Sequence, residues 1–99
     1  MIIEGSSSNL GEIISENKTV LIDFWADWCA PCKAISPILK KLSNEHPEIG
    51  VVKINIEDHP ELAAEYGISS LPTLLLYRGS EEVKRTVGSG TDLFKFALE

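Results

Sequence analysis

Apolar positions along this chain change their period several times, and each change marks an element. Ile2 and Ile3 suggest a short first strand. Leu10, Ile13 and Ile14 then fall at helical spacing, which predicts a helix over roughly Ser8 to Glu16, ended at Asn17-Lys18. Val20 to Trp25 reads Val-Leu-Ile-Asp-Phe-Trp, a nearly continuous apolar run of the kind found in strands buried on both faces. Beyond Cys29-Ala30-Pro31-Cys32, the residues Ile35, Ile38, Leu39 and Leu42 recur at i, i+3, i+4 and i+7, one face of a helix. Pro31 suits the first turn of that helix, where its missing N–H costs nothing. Pro37 removes a backbone bond to Lys33 and predicts a kink. Pro47 marks the end, with His46 pushed out of helical space.

The second half continues the alternation. Val51 to Ile56 predicts a third strand, Pro60 opens a short helix, and Gly67 closes it in the left-handed region after Tyr66. Thr73 to Arg78 and Glu82 to Val87 flank Gly79-Ser80-Glu81 and predict a hairpin. Thr91 is the expected cap of a terminal helix through Leu98. The order is βαβαβαββα. Strands alternating with helices imply parallel neighbours, and the hairpin adds an antiparallel pair. The expected fold is therefore α/β, a central mixed sheet with helices on both faces.

Composition narrows the classes. Ninety-nine residues, 43% of them hydrophobic, suit a single folded domain over residues 1–99. A net charge of −6 and the lack of a basic footprint argue against a nucleic-acid partner. No apolar run approaches transmembrane length, so no membrane partner is expected. Met1 to Ser8 lacks the basic and apolar regions of a signal peptide, so the expected location is cytoplasmic. The two cysteines lie three positions apart. A bridge between them closes almost no loop and constrains the unfolded chain very little, so stability is a poor reason for the pair.

Chemistry is a better one. Cys-x-x-Cys after a buried strand and at the start of a helix places two Cβ atoms ~5–6 Å apart, close to disulfide range. Cys29 at the helix N-terminus faces unpaired N–H groups and the positive end of the macrodipole, which favours its thiolate. Cys32, one turn further in, is expected to be more buried and suits a resolving role. Half a zinc site is the main competitor, but the further soft ligands are His46 and His59, in the spacing C-x2-C-x13-H-x12-H, and the last gap is far too long for a zinc finger. Both histidines are most simply solvent-facing residues at helix ends. A buried, inert pair is argued against by Trp28 and Pro31 beside it. Asp23 in a buried apolar strand is expensive unless paired. It reads either as half of a structural ion pair with Lys53 on the neighbouring strand, or as a proton acceptor for Cys32 whose proton affinity burial raises. Trp25 is expected to pack in the core, and Trp28 to stand partly exposed beside the pair.

The segment Trp25 to Lys33, Trp-Ala-Asp-Trp-Cys-Ala-Pro-Cys-Lys, resembles the active-site segment of the thioredoxin family. The similarity extends through Val20 to Phe24, Lys53 to Ile56, Tyr66-Gly67-Ile68, Leu71-Pro72-Thr73 and Val87-Gly88, in the family's order and over nearly the whole chain. The resemblance implies a thioredoxin fold and a protein-disulfide reductase working by dithiol–disulfide exchange. Cys29 would be the nucleophile, Cys32 the resolving thiol, Asp23 the proton acceptor, and Lys53 would tune Asp23. It implies a cis bond between Leu71 and Pro72 facing the cysteines. Trp28, Ala30, Pro31, Leu71, Pro72 and Gly88 would form a flat apolar surface for extended protein substrates. It also implies a monomer, no metal or organic cofactor, and a reductase partner that supplies electrons. Ala30 departs from the family, which usually has Gly there. Two alternatives stand beside this reading. An oxidase or isomerase of the same fold tends to carry His between the cysteines, which Ala30-Pro31 does not provide. A non-catalytic module would use the fold without turnover.

Overall fold

The computed structural model describes residues 2–99. Nine elements follow one another: β1 (Ile2–Glu4), α1 (Leu10–Glu16), β2 (Thr19–Trp25), α2 (Ala30–Glu45), β3 (Ile49–Asn55), α3 (Pro60–Glu65), β4 (Thr73–Arg78), β5 (Glu81–Val87) and α4 (Leu93–Leu98). This is the order expected from the sequence. The strands form one sheet in the order β1-β3-β2-β4-β5. β3 is parallel to both β1 and β2, while β4 runs antiparallel to β2 and β5, so the sheet is mixed.

Strand alternation divides the core into two layers. Leu21, Leu74 and Leu76 point to one face, where Ile35, Leu39 and Leu42 of α2 and Leu93 and Phe96 of α4 cover them. Val20, Ile22, Phe24 and Leu75 point to the other, against Leu10 and Ile14 of α1 and Leu62 of α3. β2 lies between β3 and β4 and is buried from Val20 through Phe24 under helices on both faces, which explains an apolar run interrupted only by Asp23. Asp23, two residues after Leu21, belongs to the α2-facing set.

Several expectations shift locally. α1 begins at Leu10 rather than near Ser8, because Ser6 to Asn9 form a turn in which the Ser6 N–H donates to the Asn9 side chain at 2.7 Å. β3 begins two residues earlier than expected, at Ile49, because Thr19 and Val20 pair with Ile49 and Gly50. Ile38 is 39% exposed, so the buried stripe of α2 is carried by Cys32, Ile35, Leu39, Leu42 and Ser43. α2 continues past Pro37, whose side chain is exposed, to its cap at His46. Thr91 does not cap α4: Asp92 does, its carboxylate accepting the Lys95 N–H at 3.2 Å, while the Thr91 hydroxyl bonds to that of Thr86. The hairpin turn contains Gly79 and Ser80, both with positive φ, the pattern that matches the twist of a two-residue connection. Gly67 takes φ 67° behind α3, as expected.

Candidate active site at the start of α2

β2 ends at Trp25, and the chain turns through Ala26 into α2 with the Cys29 N–H bonded to the Ala26 carbonyl at 3.1 Å. Cys29 is the N-cap of α2, and Ala30 and Pro31 form its first turn. The two cysteines are joined in a disulfide with Cα atoms 5.3 Å apart. The Cys32 N–H points at Cys29 Sγ, 3.2 Å away. This is the N-cap contact a Ser or Asp side chain makes, with sulfur as the acceptor. The same N–H favours an anionic sulfur when the bridge is open.

Both cysteines are buried, Cys29 with 4% of its surface accessible and Cys32 with 2%. The expectation of a clearly more open pair is corrected here: Ala26 and the half-buried Trp25, Ile56 and Leu71 close around it. Access comes from one side, where Trp28 is 68% exposed and Ala30 and Pro31 are exposed too. The Leu71–Pro72 bond is cis, and Leu71 packs against the disulfide. Pro72 itself is buried, so it shapes the loop and presents no open surface. Its carbonyl accepts the Gly88 N–H at 2.8 Å, which ties the half-exposed Gly88 loop to the loop beside the cysteines. The structure thus gathers Cys29, Cys32, Leu71 and, through the bent loop, Gly88.

Asp23 is wholly buried, and neither carboxyl oxygen has a hydrogen-bond partner. Burial raises its pKa to about 7, and the nearby Lys53 charge pulls in the opposite direction without cancelling the rise. The direct ion pair offered by the structural reading is not formed. Lys53 pairs with Asp23 in the β2–β3 ladder, but its ammonium donates to Ser36 Oγ at 3.2 Å and lies 4.8 Å from the centre of the Trp25 ring. Trp25 is half-buried, with its indole N–H unpartnered, and packs against the disulfide cluster. Sequence reasoning does not single out Ser36. The signal that could have found it is its place at i+4 from Cys32, on the turn that follows the pair.

The histidines stand apart. His46 caps the end of α2, beside Glu48 and Phe94, and His59 precedes α3 beside Glu61. Both are half-buried rather than fully solvent-facing. Among the described residues no group of three or more His, Cys, Asp or Glu side chains is placed to hold a metal ion, and no helix is long and apolar enough to cross a membrane.

Comparison with known proteins agrees with this geometry. The family model described as Thioredoxin matches residues 2–99. A thioredoxin of Pyropia yezoensis is 47% identical over 79 residues, which cover 79% of this chain and 74% of that protein. The bifunctional thioredoxin reductase/thioredoxin of Mycobacterium leprae is 40% identical over 84 residues, 84% of this chain and 18% of that longer protein. The crystal structure of oxidised mitochondrial thioredoxin 3 from Saccharomyces cerevisiae superposes with a TM-score of 0.91 at 29% identity, covering 98% of this chain and 93% of that one.

Proposed function

The chain belongs to the thioredoxin family and is a thiol–disulfide oxidoreductase, and from that premise we propose a two-step exchange with assigned roles for its residues. Cys29 thiolate attacks one sulfur of a substrate disulfide. A mixed disulfide forms and the first substrate thiolate leaves. Asp23, ionised above its raised pKa and strongly basic for a carboxylate, accepts the Cys32 proton. Cys32 thiolate then attacks Cys29, the second substrate thiolate leaves, and the protein is left with the Cys29–Cys32 disulfide. Two electrons have passed to the substrate.

The observation that carries the assignment is the Cys32 N–H directed at Cys29 Sγ at 3.2 Å. It stabilises charge on Cys29 and leaves Cys32 in need of a base. The buried carboxyl of Asp23, on the α2-facing side of the sheet, supplies one. Trp28, Ala30, Pro31, Leu71 and Gly88 offer the docking surface for disulfide-containing proteins, with Pro72 holding its bend. Regeneration requires an electron donor. The name of the Mycobacterium leprae relative joins a thioredoxin reductase to a thioredoxin, and a reductase of that type is the partner proposed here. A reducing compartment, the cytoplasm, suits such a cycle.

Dithiothreitol-driven reduction of insulin tests the reading. The wild-type protein is expected to turn over, and Cys29→Ser to be inert while remaining folded. A folded wild-type protein without turnover would make the chain a binding module.

A further inference from the structure

Lys53 stands opposite Asp23 in the ladder, yet its ammonium is engaged elsewhere. Ser36 Oγ accepts from it at 3.2 Å and in turn donates to the Cys32 carbonyl at 3.4 Å. A hydroxyl has one proton and two lone pairs. With its proton turned toward Cys32, Ser36 presents its lone pairs to Lys53. The Trp25 ring lies against the same ammonium, a second anchor of cation–π type. Neither anchor is a carboxylate, and both oxygens of Asp23 are without a hydrogen bond.

We propose that Ser36 is a positioning residue: its hydroxyl, with the Trp25 ring, holds the Lys53 ammonium off the Asp23 carboxyl and so limits how strongly that charge acts on it. Lys53 on β3 is the one charge that acts on Asp23 among the described residues; β4 faces it with Leu74, and the cysteines of α2 are bridged and do not titrate. Removing the hydroxyl leaves the unbonded carboxylate as the strongest acceptor within the reach of Lys53. The lysine then closes on Asp23 and stabilises its charged form, since a cation in contact lowers a carboxyl pKa by ~1–3 units. Ser36 thereby keeps the carboxyl titrating near neutrality. The catalytic consequence rests on Asp23 being the proton acceptor for Cys32.

Carbon-13 NMR titration of the Asp23 carboxyl in the oxidised protein tests the proposal, because the bridged cysteines cannot couple to it. Ser36→Ala is expected to lower the Asp23 midpoint by about one pH unit. Ser36→Thr, which keeps a hydroxyl, should titrate like the wild type. Lys53→Met should raise the midpoint, and adding Ser36→Ala to Lys53→Met should change it no further. An unchanged or raised midpoint in Ser36→Ala overturns the proposal, as does a fall that persists without Lys53. Mixed-disulfide resolution rates across pH separate the two claims. A lowered midpoint with an unmoved rate profile supports the positioning by Ser36 and removes Asp23 as the proton acceptor.

Discussion

Asp23 and Lys53 face each other across the β2–β3 ladder, and their charged ends are not joined in an ion pair. The lysine reaches Ser36 and Trp25, and the carboxyl stays in the buried layer of Leu21 and Leu74. A buried carboxyl without hydrogen bonds is costly when ionised, and a single cation held at a distance does not offset that cost. The arrangement sacrifices stability to hold a group that exchanges its proton near pH 7.

That sacrifice has a measurable pH signature. Asp23 keeps its proton up to about pH 7 in the folded chain, against the 3.8 of an ordinary Asp. Between those values the folded state binds the extra proton, so stability falls as pH rises through the window and is flat on either side. Each pH unit of that window costs ~1.4 kcal/mol, so the whole loss is on the order of a few kcal/mol. Urea unfolding of oxidised wild type and Asp23→Asn at pH 4.5 and pH 8 is expected to show the variant gaining on the wild type by that amount at the higher pH. A pH-independent difference would mean that Asp23 titrates normally.

In the reduced protein, Cys29 is expected to be the residue alkylated at neutral pH. The Cys32 N–H and the N-terminal end of α2 favour its thiolate, and exposed Trp28, Ala30 and Pro31 flank the approach. Peptide mapping after brief iodoacetamide treatment reads the outcome, and predominant labelling of Cys32 would exchange the two roles.

The cap of α4 is tested by two substitutions. Asp92→Ala should cost about 1 kcal/mol of stability, because it removes the acceptor of the Lys95 N–H. Thr91→Ala should have a smaller effect through its hydroxyl contact with Thr86. Thermal unfolding of both variants gives the order, and a larger loss for Thr91→Ala would restore it as the cap.

The capping residue illustrates which features can be read from sequence. Thr91 and Asp92 are adjacent and both accepted caps, and Asp is the stronger of the two, so the ranking of capping residues already favours Asp92. β2 is legible because helices cover both faces of the sheet at its centre, so its side chains are apolar in both directions. The cysteine pair is legible because its chemistry depends on local spacing alone. Ile38 misleads because helical spacing marks a stripe but not how far the opposing sheet covers it. The burial of both cysteines depends on Leu71 and Ile56, which arrive from distant loops. The partners of Lys53 are equally hidden: Ser36 is 17 residues away and meets it only after α2 packs on the sheet, and Trp25 meets it only through the register of β2 on β3.

The final prediction separates a structural Asp23 from one that moves a proton. In Asp23→Asn, Cys29 keeps its helix N-terminus and its contact with the Cys32 N–H, so formation of the mixed disulfide should be little changed. Resolution should slow, because Cys32 is buried and loses its nearby base. Positioned proton transfer contributes ~10²–10⁴-fold, and a loss near the lower end, about 100-fold at pH 7, is expected. The gap should narrow as pH rises toward the ~8.5 of an ordinary thiol and beyond, where hydroxide supplies the thiolate without help. In the wild type, the rate should rise through an apparent midpoint near the pKa of about 7 assigned to Asp23. Below that midpoint the carboxyl is already protonated and cannot accept. Stopped-flow measurement of mixed-disulfide decay across pH, for both proteins, reads all three features. Equal rates at pH 7 would leave Asp23 with no part in the exchange. Its unbonded, buried carboxyl would then be a cost to the fold without a catalytic return.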